Sequence, residues 1–347
     1  MHPRQRIHEK LGEVKAVSAE MILEVKNLIK HYPLTSRGVF LKKDVGVVHA
    51  VDGVSFSVRK GETFGLVGES GCGKTSTARA ILYLDPPTSG EIYFEGQEIS
   101  KVFKSKNQQE ILKLRRKMQY VFQNPYASLD PRMTVADIIM EPFVIHKHVP
   151  KEKWSDRLYE LLELVGLEDY HAERYPHEFS GGQRQRICIA RALAVEPRLL
   201  IADEPVASLD VSVRAQILNL LQELQQKFGI AYLYISHDLS TVRHICHKVA
   251  VMYLGKFVEI AETSELFNSP LHPYTQALLS AIPVPDPENK RSRIVLPGEV
   301  PSPINPPAGC RFHPRCIYAK EYRCMENVPE LADVGNGHLV ACNKVSK

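Results

Sequence analysis

A largely parallel α/β fold is predicted by three stretches of the sequence. Thr63-Phe64-Gly65-Leu66-Val67 is a short apolar run that leads through a glycine-rich loop into a helix-forming stretch, Lys74 to Leu84. Leu199-Leu200-Ile201-Ala202 is a continuous apolar run ending on two acids, Asp203 and Glu204. Ile230 to Ser236 is another apolar run, ending on His237. Uninterrupted apolar runs of this length suit strands covered on both faces, as in a parallel sheet. In α/β folds ligands bind beyond the carboxyl ends of such strands, where these polar residues stand.

The glycine-rich loop, Gly68-Glu69-Ser70-Gly71-Cys72-Gly73-Lys74-Thr75, matches G-x-x-x-x-G-K-[ST] at every position. Strand, loop and helix start are the context that this pattern needs. Glycines let the backbone curl so that successive N–H groups turn inward onto phosphate oxygens. The helix N-terminus adds unpaired donors and a partial positive charge. Lys74 supplies a full charge for β- and γ-phosphates, and the Thr75 hydroxyl suits Mg²⁺. Ser76, the next residue, completes the candidate nucleotide-binding set on this loop.

Composition bounds the rest. The 347 residues suffice for one large or two modest domains. Hydrophobic residues make up 44% and charged residues 24%, ordinary for a soluble globular chain. A net charge of +4 is too weak to argue for nucleic acid. No apolar run approaches the roughly 18 residues of a membrane span. Residues 1–20 carry Arg4, Arg6 and Lys10 among acids, with no apolar stretch. They are expected to form a flexible tail, not a secretory signal. A cytosolic chain is expected, with its thiols reduced.

In chain order, Met21 to Lys30 and Val47 to Val58 alternate as strands, and residues 34–46, with Gly38 and Gly46, are expected to form a loop or hairpin insert. Glu91 to Phe94 is a short strand after the Pro86-Pro87 turn. Lys101 to Met118 carries seven Lys/Arg against one Glu, the pattern of a solvated helix face. Tyr120 to Phe122 forms a strand that delivers Gln123 at its end. Thr134 to His146 and Glu152 to Val165 are helical by period. Ser180-Gly181-Gly182-Gln183 then opens a helix to about Val195. A serine cap and two glycines make its start a second anion site. Asp203 can hold Mg²⁺ through water, and Glu204 can polarise an attacking water. Adjacent strand residues point to opposite faces, which lets the two acids take different tasks. Ser208-Leu209-Asp210 precedes a helix over Val211 to Phe228, and His237 is placed to contact a γ-phosphate and position Glu204.

Taken together, the phosphate loop, Gln123, Ser180-Gly181-Gly182-Gln183, Asp203-Glu204, Ser208-Leu209-Asp210 and His237 resemble, in their order, an ABC-type ATPase over about residues 21–270. The Ser-Gly-Gly-Gln signature separates that class from other P-loop ATPases. Ala207-Ser208-Leu209-Asp210 stands where many relatives have Ser-Ala-Leu-Asp, with Asp210 kept in place. The resemblance implies a mixed sheet with flanking helices and an α-helical insertion over about residues 100–185. It implies that Tyr32, ending the first strand, stacks on adenine. It implies that two nucleotide domains dimerise head to tail, each ATP lying between one phosphate loop and the other subunit's Ser180–Gln183 segment, with Asp210 at the shared site. Gln123 would sense Mg²⁺ and water and relay closure to the insertion, which contacts membrane subunits.

Leu271-His272-Pro273-Tyr274-Thr275-Gln276-Ala277-Leu278-Leu279 forms a short helix. A proline-rich segment follows, with Pro283, Pro285, Pro287, Pro297, Pro301, Pro303, Pro306 and Pro307, expected to be extended. It runs into Gly309-Cys310-Arg311-Phe312-His313-Pro314-Arg315-Cys316. Residues 271–347 resemble the C-terminal extension of dipeptide and oligopeptide ABC importer ATPases, a tail shared by nickel and glutathione importers. The resemblance implies an ATP-hydrolysing subunit on the cytoplasmic face of the membrane. Its partners would be a second ATPase (a copy or a paralogue), two permease subunits and, indirectly, an external binding protein. The rival from another class is a soluble ABC ATPase acting on DNA or ribosomes. Those usually carry paired nucleotide domains or long coiled-coil insertions, and this chain has neither.

Four of the seven cysteines crowd into the tail: Cys310, Cys316, Cys324 and Cys342, with five, seven and seventeen residues between them. Four thiolates in a loop-rich tail can close around a metal. Zinc sites favour tighter pairs. The wider spacing suits a 4Fe–4S cluster better, with zinc or free buried thiols as alternatives. The family is similar to proteins that carry such a cluster in this tail. Arg311, Arg315 and Arg323 are expected to offset its negative charge. Cys72, Cys188 and Cys246 are packing residues.

Overall fold

The computed structural model describes residues 19–37, 42–282 and 293–345. The expected flexible tail therefore lies almost wholly outside the described residues, as do Pro283, Pro285 and Pro287.

The chain opens with a hairpin of β1 (Met21–Arg37) and β2 (Lys42–Arg59), followed by β3 (Thr63–Val67) and helix α1 (Lys74–Ile81). Next come β4 (Ser89–Phe94), β5 (Gln97–Glu98), α2 (Ile99–Lys104), α3 (Gln108–Lys117) and β6 (Met118–Val121). Four helices follow: α4 (Pro125–Ser128), α5 (Val135–His146), α6 (Trp154–Leu164) and α7 (Gly181–Leu193). The core resumes with β7 (Leu199–Asp203), α8 (Val211–Phe228), β8 (Ala231–Ser236), α9 (Leu239–Ile245), β9 (Lys248–Tyr253) and β10 (Lys256–Glu262). The chain closes with α10 (Thr263–Asn268), α11 (Pro273–Ser280) and two short strands, β11 (Ala332–Asp333) and β12 (Leu339–Val340).

Two sheets result. The smaller, in order β2-β1-β4-β5, is antiparallel. The larger has the order β11-β12-β10-β9-β3-β8-β7-β6. Its strands β9, β3, β8, β7 and β6 run parallel, and β10, β12 and β11 add an antiparallel edge. The central parallel strands β3, β7 and β8 are buried on both sides, as their unbroken apolar runs require. Alternation then divides the core. Leu199 and Ile201 join one layer with α1 and the small sheet, while Leu200 and Ala202 join the other with α5, α6, α7 and α8.

Local chemistry sets the helix ends. Thr134 and Asp137 form a reciprocal capping box at the start of α5. Helix α8 stops at Gly229, whose φ of +68° turns the chain out of the helix. The basic stretch 101–118 is two helices, because Lys106 turns to φ +56° and the Asn107 side chain caps α3 anew. Residues 34–46 are mainly hairpin arms: β1 and β2 stay paired out to Arg37 and Lys42, and residues 38–41 lie outside the described residues.

The C-terminal extension is woven into the cassette. Pro303 accepts a hydrogen bond from the His49 amide (2.9 Å), so the proline-rich segment straps the hairpin. β12 pairs with β10, and Phe312 packs edge-on against Tyr253 at 5.3 Å. Among the described residues no helix is long and apolar enough to cross a membrane.

Candidate functional site: a phosphate loop and two acids

The loop between β3 and α1 has the curled backbone its glycines foretold. Gly73 sits at φ +113°, and a Cβ there would collide with the Ala50 carbonyl. Gly68, at φ +151°, is equally closed by the Met252 carbonyl. Ser70, Gly71 and Thr75 are exposed on the open side of the loop, Ser76 is half-buried, and Cys72 turns into the core. The buried Lys74 ammonium rests on the carbonyls of Gly68 (2.8 Å) and Glu69 (3.0 Å).

Asp203 closes the loop from the end of β7. Its Oδ2 accepts from the Thr75 hydroxyl (2.9 Å) and from the Tyr120 hydroxyl (2.6 Å). Burial pushes the Asp203 carboxyl up, while Tyr120, Thr75 and Lys74 pull it back and Glu204 adds to the rise. An oxygen pair of this kind is the hard donor set that Mg²⁺ takes.

Glu204 faces a different set of partners. Its Oε2 accepts from the Gln123 amide (2.6 Å) and its Oε1 lies 3.0 Å from His237 Nδ1. The expected separation of the two acids is present, but strand alternation does not produce it. β7 ends at Asp203, and Glu204 adopts φ +48°, anchored by its amide to the Ile235 carbonyl (2.9 Å). A left-handed glutamate is a strained residue, held because its surroundings over-determine it. One strand end thus offers a carboxylate beside the loop hydroxyl and a second carboxylate clamped between an amide and an imidazole.

Other expected site residues lie elsewhere. Ser180 and Gln183 cap each other at the start of α7, taking one of its free N–H groups, and Gly182 packs against Val213. Asp210 begins α8, exposed and without a side-chain cap. Among the described residues, no hydrogen bond joins Ser180–Gln183 to the phosphate loop or to Glu204. Tyr32 is half-buried, its hydroxyl 3.4 Å from Asp85 and Lys30 over its ring, with no hydrogen bond to the loop.

In the tail, Cys310, Cys324 and Cys342 are buried and Cys316 partly so, all as free thiols. They are electrostatic neighbours of one another, and burial pushes the Cys310 thiol up to about 12. The three arginines expected to offset a cluster's charge each have a carboxylate partner. Arg311 is bound to Asp52 and the Leu254 carbonyl, Arg323 to Glu326, and Arg315 to Glu69. A guanidinium takes a carboxylate whose geometry matches it ahead of a neutral thiol. Sequence reasoning missed both Tyr120 and the contacts of Arg315 and Tyr274 with the loop. Tyr120 had a signal, standing on the strand that delivers Gln123. The other two had none.

Comparison with known proteins agrees with this geometry. Residues 51–207 match the ABC transporter family, and residues 258–324 match the oligopeptide/dipeptide transporter C-terminal region. The oligopeptide transport ATP-binding protein AppF of Bacillus subtilis (strain 168) is 53% identical over 333 residues, 95% of this chain and 99% of that protein. The dipeptide transport ATP-binding protein DppF of Escherichia coli (strain K12) is 48% identical over 334 residues, 96% and 97% of the two chains. Among solved structures, the dimeric post-hydrolysis state of the ATP-binding cassette MJ0796 bound to ADP and Pi superposes with a TM-score of 0.60 at 28% identity, covering 70% of this chain and 99% of that one. The chain therefore belongs to the ATP-hydrolysing, ATP-binding subunits of the oligopeptide/dipeptide family of ABC transporters.

Proposed function

We propose that this chain powers the uptake of di- or oligopeptides, hydrolysing ATP at the face formed by the phosphate loop, Gln123, Asp203, Glu204 and His237. The observation that carries the chemistry is the Glu204 carboxylate, held on one oxygen by Gln123 and close to His237 on the other. A carboxylate so oriented orders a water and accepts its proton. Lys74, held by the loop carbonyls, supplies positive charge to the β- and γ-phosphate oxygens. Thr75 and Asp203, with Gln123 nearby, are the residues that would hold Mg²⁺. When bound, that ion neutralises charge developing on the transferred phosphoryl group.

The separation of Ser180–Gln183 from the loop within one chain supports a two-cassette sandwich. Each ATP would lie between one loop and the partner's signature helix, with Tyr32 on the adenine and Asp210 at the interface. The partner is a second ATPase. Two permease subunits and an external binding protein complete the importer, which places this chain on the cytoplasmic face of the membrane. In this reading residues 21–270 are the nucleotide domain, with its helical insertion at about 100–185, and residues 271–347 are the importer-type extension. No nucleic acid is involved. Peptide uptake is supported by the likeness to the oligopeptide transport protein AppF and the dipeptide transport protein DppF. The test is ATP-dependent uptake of a labelled dipeptide in cells lacking this chain, restored by the wild-type gene and not by Glu204→Gln. Peptide uptake that persists without the chain, while nickel or glutathione uptake fails, would move the substrate to those solutes.

We further propose that Cys310, Cys316, Cys324 and Cys342 hold a structural 4Fe–4S cluster, with zinc or free buried thiols as alternatives. Three of the four thiols are buried and the fourth half-buried, and their spacing lacks the tight pairs that zinc sites favour. Iron, zinc and sulfide analysis of protein purified without oxygen, with Cys342→Ser as control, tests this. About four irons and four sulfides per chain, lost in the control, are expected. Zinc or no metal would remove the cluster and leave the ATPase reading intact.

A further inference from the structure

Glu69, the second residue of the phosphate loop, is tied at three points, and two of the ties come from the C-terminal extension. Its carboxylate accepts both ends of the Arg315 guanidinium: Nη1 to Oε2 at 2.7 Å and Nη2 to Oε1 at 3.2 Å. Its amide N–H donates to the Tyr274 hydroxyl at 2.9 Å. Its carbonyl accepts from the Lys74 ammonium at 3.0 Å. Arg315 is itself buried, 6.0 Å over the Tyr253 ring, and its backbone turns off Phe312. Tyr274 is fully buried against Tyr253 and Phe312. Neither residue can drift without disturbing that aromatic cluster.

We propose that Arg315 is a positioning residue for nucleotide binding: through the two-pronged grip on Glu69 it fixes the carbonyls that aim Lys74 at the phosphates. Tyr274, itself fully buried, satisfies the Glu69 N–H from the core side. The extension is on this reading a brace of the nucleotide site, joined to it at Glu69, whose carbonyl is one of the two anchors of Lys74. A planar, always-charged fork suits this task because two parallel hydrogen bonds set direction as well as distance. The inference rests on the ATPase assignment alone and not on the transported solute or the metal in the cysteine pocket.

Equilibrium binding of a fluorescent ADP analogue to the full chain tests it, with Arg315→Gln, Glu69→Gln and the double variant measured beside thermal unfolding. Loss of a charge-assisted pair predicts an affinity lower by on the order of tenfold in each single variant. The double variant should show no further loss, because both single changes break the same link. Arg315→Lys should recover only part, since an ammonium cannot grip both oxygens. Affinity unchanged in Arg315→Gln would overturn the proposal. So would losses that simply add in the double variant, since the arginine would then act only through the stability of the tail. Glu69→Gln changes no residue of the tail, so, read beside its thermal unfolding, it reports on the grip even where an arginine variant folds poorly. Failure of all variants, and of the wild type, to bind the analogue would point instead at the ATPase assignment.

Discussion

The nucleotide cassette and the C-terminal extension are held together by different means. In the cassette, function follows from short runs in sequence: loop, strand end, helix start. Lys74, Thr75, Asp203 and Glu204 stand where strands β3 and β7 end, so backbone geometry alone brings them to one face. In the extension almost nothing is regular. Between α11 and β11 the described chain has one short 3₁₀ turn, His313–Arg315, and its order comes from side chains buried against the cassette. Phe312, His272, Tyr253 and Tyr274 form one aromatic cluster. A motif-built region tolerates change outside its motif. A contact-built region depends on each anchor.

Four substitutions sharpen that contrast. The largest effect belongs to the cassette: Glu204→Gln should lower ATP turnover of the assembled transporter by about 100-fold or more while nucleotide binding persists. Turnover close to wild type would remove Glu204 as the base. In the extension, Phe312→Ala should cost about 3–5 kcal/mol in chemical denaturation, because a fully buried ring leaves a cavity among three others. A loss under about 1 kcal/mol would mean that the tail contributes little to the cassette's stability.

Tyr120→Phe probes the cassette's own support. It removes the hydroxyl that donates to Asp203, and the buried carboxyl should rise further. Half-maximal activity should then need roughly tenfold more Mg²⁺. An unchanged Mg²⁺ requirement would leave Tyr120 a packing residue. The last substitution reads a pH dependence in the tail. Burial pushes His272 down to about 3, and its Nδ1 accepts from the Tyr274 amide (3.1 Å), so the folded chain keeps it neutral. The folded value lies below the unfolded one, so the stabilisation is complete above about pH 6.5 and is lost as pH falls toward 3. The slope is about 1.4 kcal/mol per pH unit. His272→Asn, which keeps an acceptor at the start of α11, should flatten the acid limb of a stability–pH curve. An acid limb as steep as wild type would assign it to other groups.

The parallel core was legible because fully buried strands must be apolar without interruption, and Leu199–Asp203 and Ala231–Ser236 are such runs. The phosphate loop was legible because only glycine fits beside the Ala50 and Met252 carbonyls, and the spacing of those glycines is itself the motif. The break between α2 and α3 escaped, since a lysine at φ +56° leaves no mark in a basic run that suits a single helix.

By itself, then, the sequence determined the α/β class, the loop, the paired acids and the family, all of which depend on neighbours within a few residues or on one strand end. Tertiary structure alone decided who holds whom. Arg315 meets Glu69 across 246 positions in the chain, and Arg311 meets Asp52 across 259. A guanidinium carries no trace in the sequence of which carboxylate it will reach. That choice is made only when the aromatic cluster packs and sets both groups in place.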